Sequence, residues 1–257
     1  MAEDVQNGLG GLLQAAHVAR EAALRKAPNG ISYAIFGDTG VADEDLDRMV
    51  QAVPGAIAAA LARKTYYFVP LALSESRGEP TMIAATYTAD LADQAICHRN
   101  VALDSTEGVF ISTRLLGDRF ALAFEFFINA GHAFVDAAGV PDSFNQLAWS
   151  QVLTDVRGET SQDAWESRNL ALSANSRSPG KPAIDEKAKS GYLEAAFSDA
   201  VAIYLLSLAV DFDYSELRER EYPLLAPQSL AERLRLASQL FPPNPGYEFA
   251  IRYRRRA

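Results

Sequence analysis

The segment Phe120–Gly139 (FALAFEFFINAGHAFVDAAG) constrains this chain more than any other stretch. Every position in it except Glu125, Asn129, His132 and Asp136 is Phe, Ala, Leu, Ile, Val or Gly. The four polar positions are separated by four, three and four residues. At about 100° per helical residue they fall within roughly 60° of one another. The segment therefore reads as a helix that is apolar all round except along one narrow line, and such a helix must be packed against protein over most of its circumference. The line is either the one wet face of a buried helix or the wall of a polar pocket. A solvent-facing helix carries basic and acidic residues over half its surface, whereas this segment contains neither Lys nor Arg.

A chain of 257 residues has ample material for a core around such a helix. Hydrophobic residues make up 49% and charged ones 22%, as in ordinary globular proteins. The formal net charge of −9 argues against nucleic acid as a partner, which calls for a positive surface. The arginines at 252, 254, 255 and 256 are the one basic cluster and read as a solvated tail or a contact for a local acidic partner. Cys97 is the only cysteine, so neither an internal disulfide nor a cysteine-based zinc site is available. The first 26 residues read as an amphipathic helix without the basic-then-apolar order of a secretion signal. Residues 120–139 and 191–210 are the most apolar stretches, but the first holds Glu125, His132 and Asp136 and the second Glu194 and Asp199. Buried helices fit them better than membrane spans. The expectation is a cytoplasmic protein with no membrane partner.

Along the chain, Ile31–Phe36 reads as a strand and Gly37–Gly40 as a turn. A helix starts at the acidic run Asp43-Glu44-Asp45 and is bent at Pro54. Thr65–Leu73 is aromatic and β-branched, with Pro70 pointing to an edge position or a bulge. Thr81–Thr88, Ala95–Leu103 and Val109–Thr113 are further strands. Beyond Gly117 the pattern turns helical, with helices through Gly139, over 143–156, over 192–210 and near 230–240, then a short terminal strand. Residues 157–190 are polar and include Ser-Arg-Ser-Pro-Gly-Lys-Pro at 176–182, which reads as an exposed, mobile connection. The fold class is α+β: a mixed sheet with helices over 1–140 and a mostly helical part over 141–257.

Metal is the first chemistry that a spaced polar stripe suggests. A two-histidine helical zinc site needs His at i and i+4 with a Glu beside the first. The three histidines, His17, His98 and His132, include no such pair, and Ile128 stands four residues before His132. The run Phe127-Ile128-Asn129-Ala130-Gly131-His132-Ala133-Phe134-Val135-Asp136 nevertheless resembles the active helix of gluzincin-type zincin metallopeptidases. Gly131, His132, Ala133 and Asp136 match that helix, while Ile128 replaces its first histidine and Asn129 its catalytic glutamate. The later segment Phe197-Ser198-Asp199-Ala200-Val201-Ala202-Ile203-Tyr204 is similar to the helix bearing the third ligand, with Asp199 at the glutamate position. The strand ending Val101-Ala102-Leu103-Asp104 precedes the helix as the zincin edge strand does. The resemblance covers about residues 30–210 and implies a zincin-like fold with a degenerate metal motif.

Ile128 cannot ligate metal and Asn129 has no carboxylate to activate water, so the resemblance implies a decayed peptidase with no metal and no cofactor. It would keep a cleft that binds a peptide or small molecule, with Ile128, Asn129, His132, Asp199 and Tyr204 in the pocket. His132 is expected to face Asp199 across that cleft. A buried Asp199 needs a partner, and His132, Arg99 and Arg114 are the candidates, with Tyr204 able to add a hydrogen bond. The alternative is a metal-free hydrolase or lyase using His132 with Asp136 or Glu125 as general acid and base. A third reading is an interaction protein whose stripe is wet. Three other motifs carry less. Asp38-Thr39-Gly40 matches the aspartic-protease triplet, but those enzymes need two such loops, and the triplet reads as a turn. Cys97 and His98 are neighbours on a strand and point to opposite faces. Gly8-Leu9-Gly10-Gly11 lacks the lysine of a phosphate loop and reads as a flexible break.

Overall fold

Consecutive aromatic and β-branched residues in Lys64–Val69 make a strand with no polar face, and such a strand is stable only in the interior of a sheet covered on both sides. In the computed structural model, which describes residues 11–73, 80–103, 106–173, 184–217 and 222–251, that is where it lies. Strand β4 (Lys64–Val69) is the centre of a five-stranded sheet with β2 (Arg25–Lys26), β3 (Ser32–Ile35), β8 (His98–Leu103) and β9 (Thr106–Ser112), in the order β2-β3-β4-β9-β8. The three middle strands are parallel and the two edge strands antiparallel to their neighbours. Tyr67 stacks on Phe110 at 4.6 Å on one face. On the other, Tyr66 and Phe68 meet Phe126 at 4.9 and 5.7 Å. Helices α2 (Asp43–Gln51) and α3 (Gly55–Ala60) form the crossover from β3 to β4 and bury Leu46, Met49, Val50 and Ile57.

A second, antiparallel sheet is built from β1 (Leu12–Gln14), β5 (Leu71–Leu73), β6 (Met82–Ala84) and β7 (Ala95–Ile96), in the order β1-β6-β5-β7. Helix α1 (Ala15–Glu21) and the short α4 (Ala89–Ala92) complete this part. Pro70 stands between β4 and β5, so it marks the passage of the chain from one sheet to the other rather than an edge strand. Its missing N–H falls at the junction between the two ladders, while its carbonyl still accepts from the Arg114 N–H at 3.1 Å. The N-terminal segment likewise departs from expectation, since strand β1 precedes a helix of only seven residues. Pro54 separates two helices instead of bending one. Cys97 interrupts the strand expected over 95–103.

Helix α5 (Arg119–Ala138) runs the full expected length and stops at Gly139, whose φ of +72° continues no helix. The chain divides into two compact units, Met1–Phe126 and Phe127–Ala257. The second unit is helical. It holds the remainder of α5 with α6 (Asp142–Leu153), α7 (Gln162–Ser173), α8 (Glu186–Ala209) and α9 (Pro227–Leu240). Helix α8 is its axis. Asp185 caps it by accepting from the backbone N–H of Lys187 and Ala188 at 3.0 Å each, and every residue from Ala196 to Leu206 is buried. By length and composition α8 could cross a membrane, but 72% of its most apolar window is buried inside the protein, as for a core helix.

The α+β class therefore stands, with the helical half as expected. Two expectations in that half do not. Residues 157–190 contain helix α7 and the fully buried Glu159, so the described part of this stretch is structural core rather than an exposed connection. No strand follows Pro245 among the described residues. The run 176–182, Asp104, Gly8–Gly10 and the terminal arginines lie outside the described residues.

Candidate functional site

In the second unit α5 and α8 cross at closest approach where Gly131 meets Ser198. A Cβ on Gly131 would lie 2.7 Å from the Ser198 carbonyl oxygen, so only glycine admits this crossing. The crossing sets His132 and Asp136 beside α8. Together with α7 they enclose an open cavity of about 370 Å³. From α5 it is lined by His132, Val135 and Asp136, from α7 by Asp163, Glu166, Ser167 and Leu170, and from α8 by Gly191, Glu194, Ala195 and Ser198. Four carboxylates and one imidazole face this space, with no Lys or Arg among the lining residues. His132 and Asp136 are both exposed. The polar line of α5 is thus a pocket wall at these two positions. The acidic residues of α7 that complete it, Asp163 and Glu166, lie within 157–190, whose polar composition implies an exposed connection.

Asp199 is buried and is not among the residues that line this space. Its carboxylate accepts a hydrogen bond from the Thr160 hydroxyl at 2.8 Å. Burial pushes its pKa above the ordinary carboxylate range, against the opposing pull of hydrogen bonds from Ser161 and Thr160 and of the charges of His132 and Arg233. His132 is an electrostatic neighbour of Asp199 but does not face it across the cavity, and Thr160 and Ser161 supply the direct contacts. The Tyr204 hydroxyl donates instead to the Phe241 carbonyl at 2.6 Å. Neither Asp199 nor Tyr204, Ile128 nor Asn129 lines the cavity.

Beside Asp199 lies a polar cluster that the sequence did not disclose. Glu159, wholly buried, receives Arg233 on one oxygen at 3.0 Å and Arg168 on the other at 3.2 Å. The Tyr192 hydroxyl donates to the same carboxylate at 3.0 Å and accepts from Arg233 at 2.9 Å. Arg233 also donates to the Gln151 side-chain carbonyl at 2.8 Å, and Arg168 to the Gly158 carbonyl at 3.0 Å. Both Glu159 oxygens are thus engaged, and the cluster ties α6, α7, α8 and α9 to the segment 157–160.

Glu125 is placed differently. In the first unit its carboxylate meets Nδ1 of His98, on strand β8, at 2.5 Å. The Cys97 thiol, next along the chain, is pushed up by burial and by the Glu125 charge, which favours the unreactive thiol over the thiolate. Among the described residues, no three His, Cys, Asp or Glu side chains converge as metal ligands. The fold and its sites define an α+β protein with a sheet-based unit and a helical unit that carries an acidic cavity. No family model matches the chain, and no curated protein matches its sequence.

Proposed function

We propose that this protein is a zincin-like, catalytically decayed relative of gluzincin-type metallopeptidases that binds a peptide or small molecule, and that the bound group is cationic. The observation that carries the second part is the lining of the α5–α7–α8 cavity. Asp136, Asp163, Glu166 and Glu194 give it negative potential, and apolar Val135, Leu170 and Ala195 give it dry surface. An amine or guanidinium group on a short side chain suits such a space. The family reading draws support from the order of parts along the chain. A mixed sheet has β8 at its edge, β9 and α5 follow, and a long later helix bears Asp199. The single cysteine and acidic composition accord with a cytoplasmic setting.

The test is calorimetric titration with a short arginine-rich peptide and with an acidic peptide of equal length. The basic peptide binds, and the Asp163→Asn/Glu166→Gln double variant weakens it by about tenfold or more, as expected for loss of partly desolvated charge pairs. Equal affinity for both peptides, or no effect of the double variant, would remove the reading. The second reading is a metal-free hydrolase or lyase, and it rests on His132 and Asp136 sharing the cavity. Glu125 is engaged by His98. Binding that survives His132→Ala favours the binder, whereas turnover of a substrate that vanishes in this variant favours the enzyme.

A further inference from the structure

The first unit contains a second cavity, independent of the one above and lined by two arginines as well as two acids. It has a volume of about 460 Å³ and lies where the parallel strands β3 and β9 end, between the loop 39–42 and the segment 113–119. Side chains at the carboxyl ends of parallel strands are the ones an α/β sheet offers to ligands, because the loops there are free to vary while the strands hold them. We propose that this cavity binds a small molecule bearing a carboxylate or phosphate group, gripped by Arg114 and stacked on Tyr87.

The loop is shaped around the guanidinium. Gly40 has φ +68°, and a Cβ there would lie 2.0 Å from the Arg114 Nη1, so its backbone lies flat against that group. Gly37, with φ +72°, lets the loop approach the Ala85 carbonyl, where a Cβ would come within 2.3 Å, and Asp38 N–H donates to that carbonyl at 2.9 Å. The buried Thr113 hydroxyl donates to the Thr39 carbonyl at 2.7 Å and reaches that of Val69 at 3.1 Å. The seat for Arg114 is thus fixed by backbone contacts to two strand ends.

The neighbouring acids are largely committed elsewhere. Asp45 pairs with Arg119 at 3.0 Å, and Asp118 accepts from the Ala121 N–H at 2.7 Å at the start of α5. Asp43 pairs with Arg25 at 2.6 Å. Arg114 contacts Asp38 at 3.8 Å, and the Asp38 side chain is 65% exposed. A pair that long and that wet is weak and is readily exchanged for a ligand oxyanion. The guanidinium fork matches a carboxylate or phosphate with two parallel hydrogen bonds. Tyr87 lies 5.6 Å from the Arg114 guanidinium carbon and is 42% exposed, leaving aromatic surface for a planar ligand to cover.

The experiment is a titration of the 15N-labelled full chain, followed by NMR at constant ionic strength, with benzoate and separately with inorganic phosphate. Saturable shifts are expected at the Gly40 and Tyr87 amides and at the Arg114 side-chain Nε. Binding by both probes identifies the oxyanion as the recognised group; binding by one alone selects carboxylate or phosphate. Arg114→Gln is expected to weaken binding by about tenfold or more, and Arg114→Lys, which keeps the charge but loses the fork, to weaken it as well. Tyr87→Ala should weaken benzoate and leave phosphate unchanged. The proposal is overturned if neither probe shifts these resonances saturably, or if folded Arg114→Lys and Arg114→Gln proteins bind as the parent does. Benzoate binding indifferent to Tyr87→Ala overturns the stacking half of it.

Discussion

The first unit keeps charge at its rim, and the second carries it into its centre. Among the described residues, no Asp, Glu, Lys or Arg of the first unit is buried, whereas Glu159, Arg168, Asp199 and Arg233 of the second all are. The difference follows from how each unit satisfies its backbone. Sheet ladders pair the N–H and C=O groups of the first unit, so its interior can be filled with Tyr67, Phe68, Phe110 and Phe126. In the second unit the segment 157–160 enters the interior from the exposed Arg157 without being helix. It is held to residues 223–226 by backbone bonds at 2.9–3.0 Å and by one isolated bridge between Glu159 and Leu224. Side chains must satisfy what that short pairing leaves: Arg168 donates to the Gly158 carbonyl at 3.0 Å and the Tyr222 hydroxyl to that of Thr160 at 3.0 Å. The sites follow the same logic. The first unit's cavity is a loop feature on a rigid sheet, while the second's is a gap between helices that the buried cluster holds in place.

The largest effect should come from breaking the buried cluster. Arg233→Ala leaves Gln151 and Tyr192 without their cationic partner and one Glu159 oxygen uncompensated. Removing one partner of a buried ion pair costs about 3–5 kcal/mol. Urea denaturation should show that loss. Replacing the exposed Arg25, whose pairs with Asp43 and Asp47 lie at the surface of the first unit, should change stability by about 1 kcal/mol at most. Equal effects of the two variants would break the distinction between the units.

Gly40→Ala tests the loop feature of the first unit and should come next. Alanine at φ +68° costs about 1–2 kcal/mol, and its Cβ would also displace the Arg114 guanidinium. The measurement is paired: a modest loss in thermal stability, with the Arg114 Nε resonance moved from its parent position. An unchanged Arg114 signal would show that the loop does not set its seat.

What the sequence made legible was periodic. Helices α5 and α8 announced themselves because long apolar segments with few polar positions have only one way to be buried, and β4 did so through its unbroken run of aromatic and β-branched residues. Pro70 was misleading because a missing donor is equally at home at an edge and at a crossover between sheets. The described part of 157–190 departs from expectation for a deeper reason. Composition cannot separate charges facing water from charges facing each other, and the partners of Glu159 stand 9 and 74 residues away. A local signal did exist: Ser161, whose hydroxyl accepts from the Ala164 N–H at 3.2 Å, caps α7. The spacing placed His132 and Asp136 on one line of α5 but left open whether that line faced water or a pocket, because the acids of α7 and α8 that complete the cavity come from other helices. The pairing of Glu125 with His98 and the Arg114 cavity were not legible, since both depend on strands meeting in an order that no local pattern encodes.

Asp199 gives the smallest and most discriminating change, because it asks whether the second unit's buried carboxylates are alike. Glu159 faces two arginines, whereas Asp199 has two hydroxyl donors and only the more distant charges of His132 and Arg233. Burial raises its pKa in the folded protein above the value of about 3.9 expected for an unfolded aspartate. The folded state then holds a proton that the unfolded state has lost. Its contribution to stability is full below the unfolded pKa and declines as pH rises through the folded one. Asp199→Asn keeps an oxygen to accept from Thr160 and cannot ionise. The variant should lie within about 1 kcal/mol of the parent at neutral pH. Its stability should fall less steeply than the parent's as pH is raised from the ordinary carboxylate range toward neutrality. Denaturant midpoints measured across that interval read the slope directly. A parent slope that Asp199→Asn leaves untouched would mean that Asp199 is as well compensated as Glu159, and that the second unit buries its acids in one way rather than two.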